Sequence, residues 1–170
     1  MTYCIIGRIS GGEAHVLKKV DIYTDGACSG NPGKGGYGVI LSFNGITKEL
    51  SEGFISTTNN RMEILAAVKG LEALKEKCSV TLYSDSKYLV DSVNLGWLEK
   101  WRRNNWMRTK NEKAKNADLF ERLYKLIHYH EVEFVWVKGH AGHTENERCD
   151  TLATSAILKD NLSVDENFSQ

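Results

Sequence analysis

Four carboxylates stand where they could do chemistry together: Asp25, Glu63, Asp85 and Asp150. Asp25 closes a short β-branched run at 20–25, and Asp85 closes a second run at 80–85. Glu63 opens a helical pattern, and Asp150 is one residue from the apolar stripe of the last helix. Parallel neighbouring strands would carry Asp25 and Asp85 to the same rim of a sheet, where ligands of open α/β sheets usually bind. Converging carboxylates repel unless hard divalent cations lie between them. Oxygen-only donors favour Mg²⁺ or Mn²⁺ over zinc. Taken singly, each acid also reads as a helix cap or a solvated strand end. The joint pattern is what carries the chemistry.

The elements that must position these acids follow from the patterning. The run 20–25 reads as a strand and leads into a glycine-rich stretch, 26–38, read as a loop. Residues 38–43 and 46–54 read as two strands joined by Asn44-Gly45, the dipeptide of a type I′ hairpin turn. From Asn60 the period changes. Ile64, Leu65, Val68, Leu71 and Leu74 share one helical face, and Asn60 followed by Glu63 resembles a helix start with the acid in its first turn. A strand at 80–85 precedes a helix that Ser86 can cap. Trp97 and Trp101, four residues apart, indicate a further short helix. Helices at 117–129 and 145–158 flank a last strand at 132–137. A hairpin meander followed by strand–helix alternation predicts a mixed sheet with helices packed on it.

The 170 residues amount to one domain's worth of chain, with ordinary globular composition: 41% apolar and 26% charged. No apolar run approaches the ~18 residues of a membrane helix. Residues 1–19 lack the basic and long apolar stretches of a secretory signal. Four scattered cysteines form no CxxC, and a cytoplasmic location is expected. Lys plus Arg equals Asp plus Glu, 22 each, which excludes a globally basic nucleic-acid binder but not a local basic surface.

Four runs carry a resemblance: YTDGACSGNPG at 23–33, TTNNRME at 57–63, SDS at 84–86 and VKGHAGHTENERCD at 137–150. Together, in this order and spacing, they resemble the ribonuclease HI family, closest to its bacterial type. The resemblance spans about residues 19–158. It implies the ribonuclease H-like fold, a five-stranded mixed sheet flanked by α-helices. It implies an endonuclease that cuts the RNA strand of RNA/DNA hybrids and leaves 5′-phosphate and 3′-hydroxyl ends. Asp25, Glu63, Asp85 and Asp150 would be its metal-binding catalytic acids, clamping one phosphate between two Mg²⁺ ions (Mn²⁺ as a substitute). Glu63 would also accept a hydrogen bond from a ribose 2′-OH, the group that marks RNA.

The same resemblance places Cys28, Asn31, Asn59 and Asn60 in the hybrid's minor groove, and Thr58 and Asn116 on a phosphate of the DNA strand. Some relatives carry an arginine two residues before that threonine, where this chain has Ser56. The stretch 26–38 is no P-loop: it lacks the GK[ST] ending and leads into a strand. His140, between Gly139 and Gly142, is suited by its ordinary pKa near ~6.5 to move protons at neutral pH. The resemblance gives it water activation or product departure. His143 is expected to orient the loop. His140, His143 and Cys149 also make a zinc reading, which lacks a fourth ligand.

Residues 100–115 hold seven cations against one acid, Glu112, with Trp97, Trp101 and Trp106 interleaved. That composition suits a surface tracking a nucleic-acid backbone, and it resembles the family's basic protrusion. Trp97, Trp101, Arg102 and Arg103 are its expected contacts. The alternative is that the tryptophans only pack a short helix. Two other functions compete. A binding module for hybrids or double-stranded RNA would have no use for four acids. A DNA-acting nuclease of the same superfold would share the acids but not Asn59-Asn60 or the Gly-His-Ala-Gly-His loop. Residues 1–18 read as an N-terminal extension whose segment 3–9 could form an edge strand. Residues 159–170 read as an acidic, disordered tail. A monomer is expected.

Overall fold

The computed structural model describes residues 16–169. The first strands are β1 (Lys18–Cys28), β2 (Gly33–Phe43) and β3 (Ile46–Thr57). Then follow α1 (Asn59–Glu72), β4 (Cys78–Ser84), α2 (Lys87–Asn94), α3 (Trp97–Arg103), α4 (Ala117–Tyr129), β5 (Glu131–Trp136) and α5 (Thr144–Ile157). The strands form one mixed sheet in the order β3-β2-β1-β4-β5. β1, β2 and β3 pair antiparallel, while β1, β4 and β5 run parallel. The expected Asn44-Gly45 turn is present, with φ of 49° and 77° at the two residues.

Helices α1 and α5 cover the sheet, and α4 packs on α1. The apolar face read from Ile64, Val68 and Leu71 meets Ile22, Val39 and Leu82, all fully buried, with Leu89, Phe120 and Leu123 in the same core. Each such side chain contributes about 1.5–3 kcal/mol by leaving water.

The glycine-rich stretch is largely strand, not loop. β2 begins at Gly33, five residues earlier than the expected strand. The reason lies on the next layer: a Cβ at Gly36 would stand 2.6 Å from the Ala153 carbonyl, and one at Gly38 would overlap that of Cys149. These glycines seat α5 against the sheet rather than turning the chain. The start of α1 also differs. Thr58 is its N-cap, its hydroxyl accepting from the Arg61 N–H at 3.3 Å. Glu63 consequently lies in the second turn, not the first.

The expected disordered tail is instead packed. Ser163 pairs with the edge of β3, accepting from Ile55 N–H at 3.0 Å and donating to the Gly53 carbonyl at 2.8 Å. Asp165 is, with Asp118, a counterion of Arg61, a guanidinium only 4% exposed. An acid that neutralises a buried cation is held, whatever the composition around it. The expected strand at 3–9 lies outside the described residues.

Candidate active site

The parallel ladder of β1 and β4 ends at Thr24↔Ser84. Asp25 and Asp85 are the next residues on each chain, so they emerge side by side at the rim. Gly26 brings in the third acid. A Cβ there would stand 2.5 Å from the Glu63 nitrogen and 2.7 Å from the Met62 carbonyl carbon. The bare Cα lets α1 lie against β1 at that level. One carboxylate oxygen each from Asp25, Glu63 and Asp85 lie within 4.8 Å of one another. Asp25 and Glu63 are buried, 6% and 5% exposed, and Asp85 is half-buried. Asp150, half-buried on α5, stands outside this trio but contributes its charge to it.

The electrostatics are those of a crowded anionic site. Burial, then the charges of Asp85 and Asp150, push Asp25 up to about 7. Burial, then Asp25 and Asp85, push Glu63 well above the usual carboxylate range. Glu63 Oε2 is buried with no hydrogen-bond partner among the described residues. Oxygen-only donors with an orphaned, buried carboxylate atom fit a hard divalent cation, which would supply the missing partner and relieve the repulsion.

The loop between β5 and α5 leans on this cluster. A Cβ at Gly139 would stand 2.6 Å from Asp85 Oδ2, and Trp136 Nε1 donates to the Asp85 carbonyl at 3.1 Å. His140 follows, exposed and at φ 53°, and Gly142 has φ 84°. His143 is the N-cap residue of α5 without a side-chain cap bond; its carbonyl accepts from Glu147 N–H at 3.0 Å. Its part in ordering the loop is thus made by backbone. Cys149 is fully buried, its thiol donating to the Tyr23 carbonyl at 3.3 Å and pushed up by burial. A neutral thiol bonded into the core is no zinc ligand.

Several expected substrate residues gather around the start of α1. Asn31 Oδ1 accepts from Asn59 N–H at 3.3 Å, joining the β1–β2 connection to α1. The Cys28 thiol faces the Gly33 and Thr57 carbonyls at 3.6 and 3.5 Å. A cleft of about 510 Å³ has Asn31, Thr58, Asn60, Lys115 and Asn116 on its walls. A neighbouring one of about 580 Å³ is lined by Asn60, Tyr88, Trp97, Lys100, Trp101, Arg108, Lys115 and Asn116. Trp101 packs edge-on against Phe120 at 5.6 Å, as expected of a residue that seats the short helix, and it also lines the cleft beside Trp97.

Two expected contacts fall elsewhere. Arg102 turns onto α4, with Nε 3.0 Å from Glu121 Oε2 and its guanidinium 4.0 Å over the Tyr124 ring. Arg103 is exposed and lines neither cleft. Lys100, Arg108, Lys115 and Tyr88 occupy the cleft instead. For Lys100 the signal was in the helical period: Trp97, Lys100 and Trp101 share one face of α3, and Arg102 and Arg103 do not.

A carboxylate trio at the rim of a mixed sheet, beside an aromatic and cationic cleft, defines a metal-dependent hydrolase. A family model described as RNase H matches residues 17–158. Ribonuclease H of Desulforamulus reducens is 62% identical over 149 residues, covering 88% of this chain and 94% of the relative. That of Rippkaea orientalis is 62% identical over 151 residues, covering 89% and 93%. Among solved structures, LC9-RNase H1, a type 1 RNase H with the type 2 active-site motif, superposes with a TM-score of 0.76. It is 28% identical, with 86% of this chain and 75% of that one covered. LC11-RNase H1 in complex with an RNA/DNA hybrid gives 0.61 at 26% identity, covering 81% and 96%. The chain belongs to the ribonuclease H family.

Proposed function

We propose that this enzyme hydrolyses the RNA strand of RNA/DNA hybrids endonucleolytically, with Mg²⁺ as its preferred cation. The observation that carries the reading is the trio Asp25, Glu63 and Asp85, with Glu63 Oε2 buried and unpartnered among the described residues. Asn60 and Tyr88 of the cationic cleft stand three residues in sequence from Glu63 and Asp85 respectively. Asp25, Glu63, Asp85 and Asp150 would hold two divalent cations, which when bound supply an activated water and a counter-charge for the departing 3′ oxygen. Water is then the nucleophile, so the products carry 5′-phosphate and 3′-hydroxyl.

The chain's own groups do the rest. Glu63, beside the ribose, accepts a hydrogen bond from the 2′-OH, which discriminates RNA from DNA. His140, exposed on a loop seated against Asp85, moves a proton at the attacking or departing oxygen. Cys28, Asn31, Asn59 and Asn60 read groove shape and sugars rather than sequence. Thr58 and Asn116 hold a DNA-strand phosphate, and Trp97, Trp101, Lys100 and Arg108 hold the backbone beyond it. Among the described residues no helix is long and apolar enough to cross a membrane. We propose a monomer acting in the cytoplasm, where its scattered thiols stay reduced.

The test offers RNA/DNA, RNA/RNA, DNA/DNA and single-stranded RNA in parallel with Mg²⁺. Cleavage confined to the RNA of the hybrid is expected. Binding to hybrid without cleavage would leave only a binding module.

A further inference from the structure

We propose that the C-terminal segment, residues 160–169, forms one wall of the DNA-strand phosphate cleft, latched there by Asp165 on Arg61. The inference rests on the hybrid-cleaving reading above and names a substrate-facing element outside the family match, which ends at residue 158.

The latch is built around a single guanidinium. Arg61 Nε donates to Asp165 Oδ2 at 2.6 Å and Nη2 to Asp165 Oδ1 at 2.8 Å. Its other side is bidentate to Asp118, at 2.9 and 2.7 Å. The Thr57 hydroxyl adds a third bond to Asp165, at 2.7 Å. Planar, bidentate pairs of this kind fix orientation as well as distance. Both carboxylates bond the one guanidinium, which leaves the group with one net negative charge. Asp165 is only 8% exposed, while Asp118, 29% exposed, also lines the cleft.

What the latch joins is the cleft itself. Arg61 stands three residues after Thr58 and its N–H bonds the Thr58 hydroxyl. Asp118 stands two residues after Asn116, the N-cap of α4. One guanidinium thus ties the starts of both helices that carry the phosphate-holding pair, and ties the tail to them. Beyond Asp165 the chain turns back: the Phe168 N–H donates to the Asp165 carbonyl at 3.0 Å, and the Phe168 ring lies 5.8 Å from the guanidinium. That turn places Asn167, Phe168 and Ser169 on the lining of the cleft that Thr58, Lys115 and Asn116 also line. Asn167 is exposed and uncharged, so a phosphate can approach it without repulsion.

Asn167→Asp and Asn167→Lys test this, because they change charge at an exposed position without touching the latch. Dissociation of a short fluorescein-labelled RNA/DNA hybrid is measured by anisotropy with Ca²⁺, and KM and kcat with Mg²⁺. Asn167→Asp should raise Kd and KM about three- to tenfold and Asn167→Lys should lower them, with kcat within about twofold and both effects fading at high KCl. Combined with Asp165→Asn, which loosens the latch, the two charge effects should shrink, because the wall no longer holds its place. Kd values within twofold of wild type for both charge variants would overturn the proposal, as would charge effects that persist undiminished beside Asp165→Asn. A wild-type chain that binds hybrid but does not cut it would refute the activity, and the Kd comparison would still judge the wall.

Discussion

Gly26 and Glu63 are in backbone contact: the space a Cβ at residue 26 would need is held by the Glu63 nitrogen, 2.5 Å away. This contact sets how far α1 penetrates toward β1, and with it the distance between the Glu63 and Asp25 carboxylates. Gly26→Ala should therefore cost about 1–3 kcal/mol of stability by overpacking. It should cost proportionally more activity, since a displacement of about 1 Å at a reacting site is worth roughly 100-fold. Thermal melts beside hybrid-cleavage rates check it. Loss of activity no larger than the loss of folded fraction would count against the positioning argument.

Asp25→Asn should abolish hybrid cleavage yet stabilise the metal-free chain. Burial raises Asp25 from 3.8 to about 7 in the folded protein. The folded state therefore holds its proton to higher pH than the unfolded state. Stability is fullest below the unfolded value, falls as pH rises toward about 7, and is flat above. Asparagine removes that fall, a gain on the order of 2–4 kcal/mol at pH 8 and little at pH 4. Melting of both proteins across pH in EDTA checks it; a pH-independent difference would refute it. Protons and cations compete for the same oxygens, so the Mg²⁺ needed to stabilise the wild type should rise as pH falls.

His140→Ala should lower kcat about 10²- to 10⁴-fold without abolishing it, the range of a positioned acid or base. The residue is exposed and outside the core, so Tm should hold. An unchanged rate and pH profile would leave the histidine without a part in proton transfer.

Asp25 and Asp85 were legible because each follows a β-branched run that local pattern reveals, and the parallel pairing of β1 with β4 brings both to one rim. Glu63 and Asp150 lie inside helices and were legible from the runs TTNNRME and VKGHAGHTENERCD rather than from a boundary. The sheet's class was legible from the β-branched runs and the Asn44-Gly45 turn. What stayed hidden depends on partners distant in sequence. Gly36 and Gly38 look like loop glycines until α5 lies across them. Asp165 looks like a tail acid until Arg61, 104 residues away, is found beneath it. Arg102 looks like a phosphate contact by composition, and only the roll of α3 shows it facing Glu121 and Tyr124.

That roll yields the last prediction. Lys100 and Arg108 line the cleft beside Trp97 and Trp101, while Arg102 is spent on α4. Reversing Lys100 and Arg108 to Glu should raise KM for the hybrid much more than it lowers kcat, because interactions made equally in ground and transition states act on binding alone. Every phosphate left without its cation should also flatten the salt dependence by about 0.9 in log K per log[salt], for a duplex treated like B-DNA. The pair should thus remove about one to two units of slope. Arg102→Glu should behave differently. It places an acid beside Glu121 and leaves the Tyr124 ring uncovered, so it should lower Tm while changing KM and its slope little. KM against KCl for the wild type, the Lys100/Arg108 pair and Arg102→Glu separates the two faces. A larger KM effect from Arg102 than from Lys100 and Arg108 would mean that the hybrid follows the other side of α3.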